Sequence, residues 1–183
     1  MKIKILEKKL AWEGKFKKVW LEEFINQKGE KGVWETVEIK AKKGVFIFPL
    51  TKYREVILEK INRIPIRDYI LTLPAGVCEL NEDEEEAAER ELLEETGYKA
   101  EGLIKIFETP IDPSLRKDSL ALFLAKNVTQ KIPLDQRPLD EAEDIEVLKL
   151  PLEELPSFLI NSENKIDIKV LGFYLLLKEK GFI

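Results

Sequence analysis

The stretch from Gly76 to Tyr98 concentrates acidic side chains that could bind a cation. Ten carboxylates fall within the seventeen residues from Glu79 to Glu95, and Arg90 is the only basic residue among them. Like charges at helical spacing repel each other by about 0.2–0.5 kcal/mol per pair. A helix of this composition therefore needs something that offsets the repulsion.

Helical geometry places two of these carboxylates where a helix should pack. At about 100° per residue, Glu91 and Glu95 fall on one face, with Glu94 beside them. The same face carries the apolar residues Ala88 and Leu92. Carboxylates on a packing face are costly unless a cation compensates them, and Mg²⁺ or Mn²⁺, which prefer oxygen ligands, would do so. The alternative is a solvated acidic surface, which would leave these side chains on the outer face.

The composition excludes several other kinds of chemistry. The 183 residues include no histidine and one cysteine, Cys78. A Ser-His-Asp triad, imidazole ligation of zinc and an intramolecular disulfide are therefore ruled out. Acid–base chemistry must use carboxylates, Lys, Tyr or metal-bound water.

Charge and hydropathy limit the partners and the location. The formal net charge of −5 argues against a general nucleic-acid binder or membrane binder. No apolar run is long enough to span a bilayer or to resemble a signal peptide, so we expect a cytoplasmic protein. The Lys- and Glu-rich, Cys-poor composition favours a heat-adapted source.

Apolar runs separated by turn residues predict a mixed α/β fold, in which helices pack on a sheet. Helical patterns occur at about 83–96 and 166–180, with a shorter one at 152–159. A hairpin turn is expected around Lys28–Lys31, with Gly29 and Gly32 supplying positive φ angles. The predicted strands are 18–25, 33–40, 44–50, 54–61, 68–73, 102–109, 119–126 and 144–150.

The acidic stretch resembles the signature of the Nudix hydrolases. That signature fixes seven residue identities and two bulky apolar positions over 23 residues, so the match is specific. The resemblance implies an α/β/α sandwich of mixed sheet and helices that hydrolyses a nucleoside diphosphate linked to another moiety. The matching residues are Gly76, Glu82, Arg90, Glu91, Leu92, Glu94, Glu95, Gly97 and Tyr98.

Further segments are similar to the ADP-ribose and nucleoside-diphosphate-sugar pyrophosphatases within that family. LPAG at 73–76 resembles their entry to the signature, and Pro113 stands sixteen residues after Gly97, where they carry a marker proline. The acidic segment 140–147 and the helical pattern near the C-terminus also match. The sequence departs from the subfamily pattern at Thr72, Ser114 and Ile61, where a Glu, a Gly and a Gln are usual.

The resemblance assigns metal ligands and a general base. Glu91 and Glu95 are the expected ligands of Mg²⁺, or of Mn²⁺ as a substitute, with the backbone carbonyl of Ala75 and with Glu94 in the same cluster. Arg90 is expected to fork onto a carboxylate and orient it. In the acidic loop, Glu141 is the expected general base, and Glu143 is a further metal ligand or the base itself. The alternative for this loop is a solvated surface segment.

Substrate contacts are expected from three other residues. Arg63 could hold a phosphate with two hydrogen bonds, although an exposed surface arginine is the alternative. Trp34, like Trp20, could stack on an adenine, pack in a dimer interface or belong to the core. Pro113 is included because it occupies the position of the subfamily marker.

The predicted organisation is a strand-rich region at residues 1–43, for dimerisation and substrate binding, followed by a Nudix catalytic domain at residues 44–183. The expected function is metal-dependent hydrolysis of ADP-ribose to AMP and ribose 5-phosphate by a homodimer that binds neither nucleic acid nor membranes. One alternative is a pyrophosphatase for another nucleoside-diphosphate sugar or nucleotide. The other is a catalytically silent Nudix module that binds ADP-ribose.

Overall fold

The computed structural model describes residues 3–39, 43–139 and 144–183. Within these ranges the chain forms three α-helices, α1 Glu84–Thr96, α2 Leu155–Asn161 and α3 Ile168–Glu179, and short 3₁₀-helices at Ile64–Ile66, Leu134–Gln136 and Leu152–Glu154. It also forms thirteen strands, β1 Lys4–Glu13, β2 Lys17–Ile25, β3 Lys31–Ile39, β4 Lys43–Leu50, β5 Glu55–Arg63, β6 Asp68–Thr72, β7 Ala75–Val77, β8 Tyr98–Lys99, β9 Gly102–Pro110, β10 Ser119–Lys126, β11 Thr129–Gln130, β12 Ile145–Pro151 and β13 Lys165–Ile166.

The predicted mixed α/β fold is confirmed. Each of the eight predicted strands is present, as β2, β3, β4, β5, β6, β9, β10 and β12. The three predicted helices correspond to α1, α2 and α3, although α2 ends at Asn161, two residues later than expected. The sequence pattern does not identify β1, because charged residues interrupt its alternation. No helix in the described ranges is long and apolar enough to cross a bilayer.

The larger sheet is buried on both faces at its centre. Its strands run in the order β13-β6-β5-β4-β10-β9, with β12 paired to β5 and β7 paired to β4. Val45 and Ile47 of β4 pack towards α1, whereas Phe46 and Phe48 pack in the opposite cluster, which includes Phe173 of α3. This double burial explains why β4 is an almost continuous apolar run instead of an alternating one.

The strand directions bring distant segments to the same end of the central strands of this sheet. β10 runs parallel to β4, so both strands begin at this end, whereas the antiparallel strand β5 ends there at Arg63. β7 pairs with the first residues of β4, which places Gly76 opposite Val45. Arg63, Gly76 and the residues that precede Ser119 therefore lie at the same end of the central strands.

The N-terminal strands form a separate antiparallel sheet in the order β1-β2-β3. All ten residues of β1 are exposed, on both faces of the strand. The sheet is joined to the rest of the chain through β3, where Val37 forms a parallel bridge with Arg116 and its N–H donates to the Leu115 carbonyl at 2.8 Å.

The hairpin between β2 and β3 differs from the prediction at one glycine. Gly29 has a φ of 84°, as expected for the turn. Gly32 does not take a positive φ, so its predicted role is wrong: it lies in β3 opposite Phe24. A Cβ on Gly32 would lie 2.6 Å from Cζ of Phe24, so any larger residue at this position would clash with the ring.

Candidate active site

Helix α1 is fixed at both ends by local hydrogen bonds. The Asp83 side chain accepts hydrogen bonds from the N–H groups of Glu85 and Glu86, and the Glu86 side chain accepts one from the Asp83 N–H, which completes a capping box. At the other end Gly97 has a φ of 76° and donates its N–H to the Leu93 carbonyl. The first and last turns are therefore set by residues within the Nudix-like stretch itself.

Glu91 lies against the backbone of Gly76. Its side chain is buried, with the residue 9% exposed. A Cβ on residue 76 would stand 2.6 Å from Cγ of Glu91 and would overlap the carboxylate. Glycine at position 76 is therefore what allows this carboxylate to reach the β7 backbone.

Glu95 is the second buried carboxylate of α1, and the residue is 3% exposed. Its Oε2 accepts a hydrogen bond of 2.8 Å from the N–H of Ala75. The structure thus joins Glu95 to Ala75 through the amide of Ala75. The predicted role of the Ala75 carbonyl as a metal ligand stays a prediction.

Arg90 links the carboxylates of this region. Its Nε and Nη2 donate to Glu82 at 2.8 and 3.0 Å, so the guanidinium forks onto that carboxylate. Nη1 donates to Glu94 at 3.0 Å and lies 2.9 Å from Oε1 of Glu91. The hydrogen bonds from Arg90 lower the pKa of Glu82, and the same bonds raise the pKa of Arg90.

A cavity of about 310 Å³ opens beside the β7 backbone. The exposed residue Arg63 lines it from the end of β5, together with Ala75 and Gly76, and its phosphate-binding role stays a prediction. The size is at the lower end of the range for small-molecule sites. Its other charged or hydroxyl-bearing lining residues are Thr72, Arg116, Asp118, Asp167 and Lys169.

Trp34 and Pro113 do not line this cavity. Trp34 is 53% exposed and its Nε1 donates to the Ser114 carbonyl at 2.8 Å, so it contacts the loop that contains Pro113. It is therefore not a core residue. Trp20 is partly buried, and Nζ of Lys8 lies 4.0 Å from the centroid of its ring.

The predicted base loop lies in residues 140–143, so Glu141 and Glu143 are outside the described residues. Arg137, which precedes the loop, is described. Its guanidinium donates to the Glu95 carbonyl at the end of α1 and to the Ile145 carbonyl, the latter at 2.8 Å. These bonds hold the chain on both sides of residues 140–143 close to the C-terminal end of α1, which carries Glu95.

A NUDIX-domain family model matches residues 40–171, well over half of the chain. The chain belongs to the Nudix hydrolase family. It is an enzyme of that family, as the resemblance predicts.

Two relatives and one solved structure illustrate the similarity. The chain is 32% identical over 178 residues to the ADP-ribose pyrophosphatase of Bacillus subtilis (strain 168), covering 96% of this chain and 94% of that protein. It is 34% identical over 194 aligned positions to the ADP-sugar pyrophosphatase of Mus musculus, covering 95% and 87%. The crystal structure of an ADP compounds hydrolase superposes with a TM-score of 0.85, covering 100% of this chain and 98% of that one. At 21% identity the last match supports the fold alone.

Nudix hydrolases generally use divalent metal ions, and the carboxylates of α1 fit such an ion. Glu91 and Glu95 are hard oxygen donors buried on one face of the helix, and Gly76 leaves room for the Glu91 carboxylate. Within the described ranges, no three carboxylate or thiol side chains converge on one point. Two carboxylates suffice for Mg²⁺, which usually takes one or two of them together with substrate phosphates and water.

Several polar residues of this Nudix hydrolase were missed by the sequence analysis. Arg116 and Asp118 precede β10, and Asp167 and Lys169 begin α3, so nothing in the sequence links them to Arg63. The buried Glu59, a charged residue among the apolar residues of β5, was also not identified from the sequence. It is 1% exposed and lies opposite Thr72 in the β5–β6 pairing.

Thr72, where the subfamily usually has a glutamate, is paired with a carboxylate from another element. The Thr72 hydroxyl donates to Oδ2 of Asp167 at 3.3 Å, and Nζ of Lys169 lies 2.5 Å from the same oxygen. Asp167 also accepts from the Lys169 N–H as the N-cap of α3. The departure at Thr72 therefore leaves a carboxylate in this part of the cavity, supplied by the start of α3.

Proposed function

We propose that this Nudix hydrolase cleaves the diphosphate bond of ADP-ribose, giving AMP and ribose 5-phosphate, in a reaction that requires Mg²⁺, with Mn²⁺ as a substitute. The observation that carries the proposal is the position of Arg63 in a cavity bounded by Ala75 and Gly76, against which Glu91 lies. The ADP-ribose pyrophosphatase of Bacillus subtilis, which aligns over 96% of this chain, supports the choice of substrate.

The proposed roles are substrate binding, metal binding and general-base catalysis. Arg63 would bind non-bridging oxygens of the diphosphate with paired hydrogen bonds. Glu91 and Glu95 would hold the cation, together with the Ala75 carbonyl, Glu94 and Glu143. When bound, a divalent ion neutralises the diphosphate and makes water a better nucleophile.

The proton of the attacking water would pass to a carboxylate, since the chain has no histidine. Glu141 is the proposed base, and Glu143 is the alternative. The water oxygen forms a new bond to one phosphorus, and the bond from that phosphorus to the bridging oxygen breaks. Arg90 would act through the carboxylates that it contacts, by keeping Glu91 and Glu94 oriented.

A substrate panel tests the proposal. ADP-ribose, other ADP sugars, NADH, dinucleoside polyphosphates and nucleoside triphosphates are each assayed with Mg²⁺ and with Mn²⁺, and the products are separated by ion-exchange chromatography. ADP-ribose should have the highest kcat/KM and should give AMP and ribose 5-phosphate in equal amounts. Preference for a nucleoside triphosphate, or release of inorganic pyrophosphate, would reject the proposal.

The second candidate is hydrolysis of other ADP sugars. It is favoured by the 34% identity with a mouse protein named as an ADP-sugar pyrophosphatase. The same panel separates the two, because an ADP-sugar enzyme would show similar kcat/KM values for ADP-ribose and for ADP-glucose. A catalytically silent ADP-ribose-binding module would bind ADP-ribose without turnover.

The proposal includes a homodimer formed through the N-terminal region, residues 1–43, with residues 44–183 as the catalytic domain. Large apolar side chains are exposed along this sheet, and the outer edge of β1 has no neighbouring strand within the described chain. Such an edge readily pairs with another chain, and burying this surface would stabilise the assembly. The exposed residues are Ile3, Ile5, Leu6, Leu10, Trp12, Phe16, Val33 and Trp34.

A further inference from the structure

Arg116 reaches the same cavity as Arg63 from a different element. Arg63 ends β5, and Arg116 precedes β10, while β4 lies between these two strands in the sheet. Both residues line the cavity together with Ala75 and Gly76. The cavity beside β7 is therefore flanked by two arginines, of which only Arg63 was predicted from the sequence.

Asp118 holds the guanidinium of Arg116 by one edge. Nε donates to Oδ1 of Asp118 at 2.8 Å and Nη2 donates to Oδ2 at 2.5 Å. Asp118 is buried, so this pairing fixes the direction of the arginine. A guanidinium has five N–H donors, and the fork uses two of them. The donors of Nη1 and one donor of Nη2 remain on the other edge, and no protein acceptor for Nη1 occurs within the described part of the chain.

The N-terminal sheet holds the backbone of the same loop. Trp34 donates its indole N–H to the Ser114 carbonyl, and Val37 bridges to Arg116. Lys117, the next residue, pairs with the buried Glu22 of β2 at 3.1 Å. These contacts tie the loop to the N-terminal sheet on both sides of Arg116, whose side chain lines the cavity.

We propose that Arg116 is a substrate-binding residue that determines affinity for the nucleoside diphosphate. Its free edge donates hydrogen bonds to non-bridging phosphate oxygens, while Arg63 binds the diphosphate from the side of β5. Asp118 keeps the guanidinium in place, and the N-terminal sheet of the same chain keeps the loop in place. The inference rests on the proposed function only in taking a nucleoside diphosphate as the ligand.

Steady-state kinetics with ADP-ribose test the role of Arg116. Arg116→Ala should raise KM about 10- to 100-fold, as expected for a lost hydrogen bond to a charged group, and should change kcat by less than about 3-fold. Arg116→Lys should recover part of the loss, because lysine keeps the charge without the fork. Arg54→Ala is the matched control, since Arg54 precedes the opposite end of β5 and pairs with the exposed Glu153.

Calorimetry with α,β-methylene ADP and Mg²⁺ gives a second readout that does not need turnover. The Kd of the analogue should rise for Arg116→Ala by the same factor as KM and should stay unchanged for Arg54→Ala. An unchanged KM and Kd in Arg116→Ala, or a fall in kcat and Tm without a change in KM, overturns the inference.

The kinetic and calorimetric measurements together distinguish a failure of this inference from a failure of the proposed function. A wild-type enzyme that binds the analogue but does not cleave ADP-ribose overturns the proposed substrate, while weaker binding by Arg116→Ala still supports Arg116. A wild-type enzyme that cleaves ADP-ribose, with Arg116→Ala equal to it, overturns the inference alone. A wild-type enzyme that neither binds nor cleaves overturns both.

Discussion

The backbone of Gly76 touches the side chain of Glu91 so closely that a Cβ at position 76 would overlap the carboxylate. The two residues are fifteen positions apart, one on the strand that enters the Nudix signature and one in the middle of its helix. The contact accounts for glycine at the first position of the signature in this chain, because the small residue lets the carboxylate of Glu91, a proposed metal ligand, reach the strand backbone.

Gly76→Ala should therefore displace Glu91 without unfolding the protein. A shift of about 1 Å in an active-site group typically lowers activity about 100-fold, so kcat should fall by about that factor while Tm changes by only a few degrees. Gly172→Ala is the control, because a Cβ at that position meets no neighbour and alanine favours the interior of α3. Full activity in Gly76→Ala would show that the position of Glu91 is not critical.

Removal of divalent ions should abolish turnover and leave the fold in place. Glu91→Gln and Glu95→Gln should each reduce kcat/KM by more than about 100-fold, since even residues that only support metal ligands cost 10- to 100-fold. In Glu95→Gln the new amide oxygen can still accept the Ala75 N–H, so the unfolding free energy should be unchanged or slightly higher. Glu89→Gln, an exposed substitution on the same helix, is the control. Activity in a preparation shown by metal analysis to be free of divalent ions would contradict the mechanism.

The Arg90–Glu82 fork should make the stability depend on pH in a defined direction. The pKa of Glu82 is lower in the folded protein, so its contribution is fully present above the unfolded value of about 4.5 and is lost as the pH falls through the lower folded value. The loss of unfolding free energy caused by Glu82→Gln, about 2 kcal/mol near neutral pH, should therefore shrink below pH 4.5. Urea denaturation at a series of pH values measures it. A difference that stays constant down to pH 3 would mean that the fork does not favour the charged form.

Substitutions in the acidic loop should identify the general base. Glu141→Gln should lower kcat by about 10²- to 10⁴-fold with little change in KM or in metal affinity, whereas Glu143→Gln should also weaken metal binding. Metal titrations followed by activity distinguish the two effects. A normal kcat in Glu141→Gln with a low kcat in Glu143→Gln would exchange the roles. Normal activity in both would move the base into the helix, with Glu94 as the next candidate.

The dimer should depend on the apolar surface of the N-terminal sheet. Leu10→Lys combined with Trp12→Glu places charges on β1, where both side chains are exposed in the single chain. Light scattering at micromolar concentration should show a dimer for the wild type and a monomer for this variant. Ile160→Lys changes an even more exposed apolar residue, on α2, and should leave the dimer intact. A monomeric wild type with full activity would reject the dimer.

Short-range patterns in the sequence determine helix α1 and the carboxylates on its buried face. The cap at Asp83, the stop at Gly97 and the spacing of Glu91 and Glu95 are relations between residues at most a few positions apart, which helical geometry converts directly into structure. The buried strands are also predictable, because an apolar run such as that of β4 is favourable only inside a sheet.

The tertiary structure alone decides which residues surround the cavity beside β7. Arg63, Arg116 and Asp167 are far apart in the sequence, and they share a cavity because β5, β10 and the start of α3 reach it through pairing and packing with distant elements. The contact of Trp34 with the Ser114 carbonyl likewise depends on how the N-terminal sheet docks. Strand pairing and packing join distant segments through many weak contacts, so no periodicity within one segment reveals them.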